Sequence, residues 1–552
     1  MKKILTIVAL LVFSALTAHA ATAKYVQQKP LSSVLKVSKK AVSDDTVLPM
    51  ITWGADTAII KANGDSVRTI KGSAFDKAGL KLFLQREDNF LTQVKNYKQG
   101  KTAYLRGTVG MINLASDILN DPDLKPVVFT QLSWSNGGDA LVVRGKMTKL
   151  SQLKGKTIVL QAYGPHIDML AEVLKTAGLK ISDVKIKYVK DLTGTQNSDP
   201  AAAMRLDKSV DAAFMIIPDA LTLTSNGAVG TGAEGSVKGA KILFSTKTAN
   251  RVIADVIAVR SDYFKTHKVQ VEKLAHAILV SQAAVTADYK ANNKKVISKH
   301  AKLLLDAKDA TDDMSGLFAD MKFADIAMNK QFLDDINYPR NLTVLARSTA
   351  KSFKQSGLIK GKSSIINPSL DWAVVSNGLK SVKTKQTYNT SAIISKKQKQ
   401  GTLSSDAIYA FKVFFKPNQQ DFPVSLYQED FDKVISMASS FGGALITIEG
   451  HSDNLKFLKA KKRGASAVEL KRLRQSAKNL SLSRANAALK AIITYAKGKG
   501  VFLDPNQFGL IGWGVENPTY NPPKSKQQWL DNMNVEFKLI QVEAEASEFE
   551  AL

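Results

Sequence analysis

The sequence predicts an α/β first domain joined to a small α+β second domain. Three observations carry this. From residue 47 to about residue 264 short apolar stretches alternate with amphipathic helical ones, the pattern of strands and crossover helices in a largely parallel sheet. A polar, lysine-rich stretch then breaks the pattern: residues 351–400 hold ten lysines and one acid, Asp371. Beyond residue 404 apolar periodicity resumes in a shorter unit. At 552 residues, 44% hydrophobic and 23% charged, the chain is globular and long for one domain.

In chain order, residues 1–20 read as a secretory signal peptide. Lys2 and Lys3 precede an apolar run over 4–16, and Ala18-His19-Ala20 fits a small-x-small cleavage site. The run is short for a membrane span. The net charge of +28 favours anionic partners such as wall or lipid phosphates, and export argues against nucleic acid. There is no cysteine, which excludes disulfides and thiolate chemistry, and there are six histidines. HExxH and GxxxxGK[ST] motifs are absent, and no nucleophile–base pair or metal cluster stands out. A non-enzyme without cofactor or metal is the expectation.

Strands are predicted at 50–53, 80–84, 126–132, 140–143, 157–160 and 212–217, with helices at 90–98, 109–119, 167–177 and 200–206. Residues 269–358 read as mostly helical. The stretch "PSLDWAVVSNGLK" reads as a helix packing back on the first domain, and 376–404 as a basic linker. In the second domain Phe411, Val413 and Phe415 alternate with polar Lys412, Phe431, Val434, Ile435 and Ala438 fall at helical spacing, and 444–448 is a strand. That strand ends in "EGHSDN", either an ordinary turn or a site at a strand end.

The motifs "ITIEGHSDN", "LSLSRANAALKAII", "GLIGWGVENP" and "NMNVEF", in this order over 405–541, resemble the OmpA-like peptidoglycan-binding domain. The resemblance implies that Asp453 and Arg484 grip the diaminopimelate of the stem peptide. A carboxylate suits its ammonium and a guanidinium fork its carboxylate. Ser481 is expected to cap the helix presenting Arg484. Three features depart from the family. Asp453 and Arg484 are 31 residues apart (484 − 453), and the longer segment carries nine Lys/Arg and one acid, Glu469, between 456 and 478. Ala477 stands where an Asn usually precedes the helix motif. Met533 and Asn534 replace the usual paired arginines, which weakens the case for tight peptidoglycan binding.

Over 45–375, "LKLFLQREDNFLTQVKNYKQGKTAYLRGTVGMINLASD", "LKGKTIVLQAYGPHIDMLAEVLKTAGL" and "DAAFMIIPDALTLTS" resemble periplasmic substrate-binding proteins of ABC importers, in the sulfonate, nitrate and thiamine-precursor class. The resemblance implies an α/β two-lobed, type II-like periplasmic-binding-protein fold followed by the OmpA-like sandwich. It also implies closure on a small-molecule solute at strand carboxyl ends. Candidate ligand residues are Trp53, Asp56, Thr108, Trp134, Ser135, Asn136, Asp139, Tyr163 and Asp219, with Gln161 and His166 nearby. Helix amino termini at Thr108 and after Gly164 suit an anion, while Asp56, Asp139 and Asp219 suit a cationic or polyhydroxylated solute. Core roles for Trp53 and Trp134, a turn at Gly137-Gly138 and a surface position for His166 are the bland alternatives. The expected function is a periplasmic solute binder tethered non-covalently to the wall, near the outer membrane, with an ABC permease as partner. The alternative is an envelope scaffold whose solute fold has lost its ligand.

Overall fold

The computed structural model describes residues 21–194, 196–233, 235–379, 390–414, 419 and 422–542. The signal segment 1–20, residues 380–389 and Phe415 of the predicted strand lie outside these. The first part of the chain builds two lobes. Strands β1 (Val47–Met50) and β2 (Phe83–Arg86) pair in parallel, and β3 (Tyr104–Thr108) and β4 (Pro126–Ser135) follow in the same lobe. The chain then crosses to a second lobe made of β5 (Asp139–Arg144), β6 (Thr157–Gln161), β7 (Lys185–Val189), β8 (Ala212–Ile216) and β9 (Ala240–Ser245), in the order β7-β6-β8-β5-β9. It returns as β10 (Ala254–Arg260), which lies between β3 and β4, and β11 (Met321–Phe323) closes the edge beside β4. All residues of β4 and β10 are buried, as expected for strands covered on both faces.

Neither large sheet of the lobes is largely parallel: the five-stranded one is mixed, and β11-β4-β10-β3 is antiparallel throughout. Pairs β6/β7 and β6/β8 are parallel, but β5 runs against β8 and β9, and β10 against β3 and β4. β5 and β10 each enter a lobe directly from the other one, and β11 also runs against β4. Residues 51–55 turn into the helix Asp56–Ala62 instead of extending the first strand. Helices from Ser261–Lys290 to Leu342–Gln355 complete the first lobe, and Trp372–Val375 packs back on it, His276 Nδ1 lying 3.1 Å from the Val375 carbonyl.

In the last part of the chain β12 (Ala407–Phe414), β13 (Ala444–His451), β14 (Phe508–Gly514) and β15 (Asn534–Gln541) form a sheet in the order β12-β15-β13-β14. The helices Val424–Ser440 and Ala467–Gly498 bury Phe431, Val434, Ala485, Leu489 and Ile492. Residues 390–400 are not linker. They form a helix whose Ile394 is buried with Ile511 and Ile540, because an apolar side chain there covers the sheet's open face. Among the described residues no helix is long and apolar enough to cross a membrane.

Candidate functional site

The lobe boundary concentrates buried polar side chains. Arg106, in the middle of β3, is fully buried and donates from Nη2 to Asp56 (2.7 Å) and from Nη1 to Asp255 (2.8 Å). Burial pushes the Asp56 carboxyl up against the pull of Arg106. Asp56 is therefore half of an internal ion pair within one lobe, not a free ligand group. Thr108 caps the helix Val109–Leu114 through the Met111 N–H (3.1 Å). Its hydroxyl donates to Asp168 of the other lobe at 2.5 Å. Asp168 also accepts from the Gly110 backbone, and burial pushes its carboxyl up to about 7. The predicted anion position thus holds the chain's own acid, brought by the helix His166–Thr176.

At the first crossing Ser135 donates to Asp139 (2.6 Å), whose other oxygen lies 2.8 Å from His166 Nε2. His166 is fully buried and stacks on Phe214, so it is not a surface residue. Asp139 stands between Ser135 and His166, whereas nucleophilic catalysis needs the imidazole beside the hydroxyl. Asn136 donates its backbone N–H to the Asp320 carbonyl (2.8 Å). Gly137 has φ +128°, and a Cβ on Gly138 would lie 2.6 Å from the Trp53 ring, so the tight crossing requires both glycines. Trp53 is half-buried and donates to Ser133 Oγ (3.2 Å). Trp134 packs edge-on against Phe332 in the core, since its strand is covered on both faces.

Tyr163 does not face this group. Its hydroxyl donates to the Lys29 carbonyl (2.8 Å) and accepts from the Lys29 N–H, so the segment before β1 occupies it. Asp219 is pushed up to about 6 by burial and by Asp199, and its Oδ2 is buried without a hydrogen-bond partner. Sequence reasoning missed Arg106, Asp168, Asp255 and Asp320. Burial, with Asp139 nearby, pushes Asp320 up to about 7. Arg106 was detectable as a charge inside the apolar run "AYLRGT", and Asp168 as an acid among apolar residues in "HIDML". A cavity of about 290 Å³ lies between the helices His166–Thr176 and Leu342–Gln355, and none of the predicted ligand residues lines it.

The second site lies at the carboxyl end of β13. The chain can turn there because Gly450 lets the strand touch the helix Ala467–Gly498. A Cβ at Gly450 would stand 2.0 Å from the Ser481 carbonyl oxygen. Ser481 is not a helix cap. The long insert is itself helical, so the helix begins at Ala467 under a Ser466 cap and Ser481 falls inside it. The Ser481 hydroxyl instead accepts from the Gly514 N–H (2.9 Å), tying β14 to the helix. Asp453 accepts from the Leu455 N–H (2.9 Å). Arg484 is 4% exposed and donates from Nε to the Gln419 carbonyl (3.2 Å). Burial lowers its pKa, and the Asp453 carboxylate partly offsets this. Beside them are four buried polar atoms with no hydrogen-bond partner among the described residues: His451 Nε2, Ser452 Oγ, Asn454 Oδ1 and Asn534 Oδ1. Each such atom costs about 1–3 kcal/mol while unpaired.

Glu449, His451 and Glu536 bring donor atoms within 4.8 Å of one another, a spacing open to a metal ion. Lys538 Nζ already lies 2.8 Å from Glu449 and 3.3 Å from Glu536, so an ammonium supplies the positive charge. The basic insert forms the helix Leu455–Lys462 and the first half of the helix Ala467–Gly498. Most of its side chains are exposed. Arg474 lies over the Phe457 ring at 4.8 Å and joins the two helices.

No family model matches the chain, and no curated protein does. Among solved structures it is similar to the periplasmic aliphatic sulphonate binding protein SsuA from Escherichia coli: 14% identity over 63% of this chain and 98% of that one, TM-score 0.41. The alkanesulfonate-binding protein SsuA from Xanthomonas axonopodis pv. citri, bound to MOPS, matches at 13% identity over 59% of this chain and 99% of that one, TM-score 0.39. The desulfurization enzyme DSZB matches at 16% identity over 58% of this chain and 94% of that one, TM-score 0.35. At these values function has to be read from the chain's own residues.

Proposed function

We propose that this chain is a periplasmic solute-binding protein held non-covalently at peptidoglycan by its C-terminal domain. The carrying observation is the cluster of atoms on Ser452, Asn454 and Asn534, without a hydrogen-bond partner among the described residues, beside Asp453 and Arg484. A zwitterionic diaminopimelate group would pair its ammonium with Asp453 and its carboxylate with Arg484, and its peptide amides would satisfy the rest. Asn534, in place of an arginine, offers an amide instead of a charge. In the lobes, two crossings and a polar boundary support capture of a small solute by closure. The carboxyls of Asp139, Asp168 and Asp320 make this boundary acid-rich, which favours a cationic or polyhydroxylated solute over an anion. An importer permease is the partner that such capture would serve.

The scaffold reading has one observation in its favour. The boundary is closed by the chain's own groups, with Thr108 and Asp168 in direct contact. Two experiments separate these readings. Sedimentation with purified peptidoglycan should lose Asp453→Ala and Arg484→Ala, each by about tenfold or more in affinity. Sedimentation like the wild type would remove the wall reading. A thermal-shift screen of the full chain with polyamines, sugars, amino acids, sulfonates and phosphates should raise the midpoint for a bound solute. Silence across the panel moves the lobes to the scaffold reading.

A further inference from the structure

The C-terminal domain sits on the second crossing between the lobes, residues 246–253. Gly443 donates its N–H to the Thr248 carbonyl (3.2 Å), and Arg251 donates its N–H to the Ser440 carbonyl (3.3 Å). A Cβ at Gly443 would lie 1.7 Å from the Lys247 carbonyl oxygen, and one at Gly442 would lie 2.7 Å from Asn250 Oδ1. The contact therefore admits no side chain at either glycine. At its edges Phe441 packs on Phe244 with ring centroids 6.1 Å apart, and Gln541 donates to the Leu243 carbonyl (2.6 Å).

One buried carboxylate joins all three bodies. Glu172, on the helix His166–Thr176 of the second lobe, accepts from Arg340 of the first lobe (3.1 Å) and from Ser440 of the C-terminal domain (2.8 Å). Arg340 also donates to the Arg251 carbonyl (2.7 Å), within the crossing itself. Glu172, Arg340 and Ser440 are each at most 5% exposed. Lobe opening requires torsion changes in the two crossings, at 136–138 and 246–253. A crossing held by another domain at the Thr248 carbonyl and the Arg251 N–H, with each lobe pinned to the same carboxylate, cannot make them.

We propose that the C-terminal domain is a brace on this hinge: docked, it holds the lobes closed, and the lobes open when it leaves. The brace uses the amino end of β13, whereas Asp453 follows its carboxyl end. By the rise of eight strand residues the two lie about 25 Å apart, so wall binding and bracing can coexist. The proposal rests on the closure reading of the lobes but needs no ligand, so it fails separately from solute capture.

The chain has no cysteine, so introduced cysteines label cleanly. Lys95, Lys208 and Lys490 are exposed positions on the first lobe, the second lobe and the C-terminal domain. Paired spin labels at Lys95→Cys and Lys208→Cys report lobe separation, and labels at Lys208→Cys and Lys490→Cys report docking. In the folded full chain, Gly443→Val should lengthen and broaden both distance distributions. The double variant Ser440→Ala/Gln541→Ala, which adds no bulk, should do so in part. Loss of docking with an unchanged lobe distance would overturn the proposal, leaving the domain a passenger. Docking that survives Gly443→Val would overturn the seat itself.

Discussion

Asp168 commits its carboxyl to Thr108 and the Gly110 backbone across the lobe boundary, and burial holds it up to about 7. The sign of its pH dependence follows. The fold binds this proton more tightly than the unfolded chain, so its contribution is complete below the ordinary carboxyl range and is lost as pH rises through about 7. His451 acts oppositely. Burial lowers it to about 4, so its contribution is present above its ordinary value and is lost as pH falls toward 4. From pH 5 to pH 7.5 the urea midpoint of the wild type should fall relative to that of Asp168→Asn, which has no proton to lose. A constant gap would exclude Asp168 as a titrating group. Arg106→Met should cost about 3–5 kcal/mol by leaving Asp56 and Asp255 buried without their counter-charge. Denaturant unfolding checks this, and a loss near zero would mean that water reaches the site.

β13 was legible as an element from its apolar run, but what its end does depends on its approach to the helix Ala467–Gly498. Gly450→Ala should cost about 2 kcal/mol, read by unfolding of the full chain, because the added methyl meets the Ser481 carbonyl. The helix was legible from Leu482, Ala485, Leu489, Ile492 and Ala496, of which Leu482 proves exposed and the other four buried, whereas its start was not. The basic insert extends the same helix toward its amino end, which turned a predicted cap at Ser481 into an interior residue. The hairpin made by the insert has its own expected effect. Removing 456–478 should reduce salt-sensitive adsorption to an anionic polymer such as heparin, since exposed cations act through screened attraction. An unchanged salt profile would leave the hairpin without that role.

The three bodies meet at Glu172, so the molecule should unfold cooperatively despite its length. Calorimetry of the wild type should give one main transition. Glu172→Ala, which strands Arg340 without its partner, should lower the midpoint and split the transition. One sharp transition in the variant would show that the apolar contacts, Phe244 with Phe441 among them, suffice for cooperativity. A solute at a hundredfold excess over its Kd should add about 2.7 kcal/mol of stability to the full chain.

By itself the sequence determined the alternation that makes two α/β lobes, the short second domain and the polar strand end carrying Asp453. Each is written in local periodicity, which neighbouring residues alone impose. It also supplied Asp139 and Thr108 as polar residues at element ends, and Arg484, which the structure places inside a helix. Only the tertiary structure decided their partners. Asp168 meets Thr108 across 60 residues, Arg106 meets Asp255 across 149, and Ser440 meets Glu172 across 268. Such pairings depend on how covered strands and crossings bring distant segments together, and no local pattern records them. Trp134 shows the same limit: an aromatic near a strand end reads as a ligand platform until the strand proves covered on both faces.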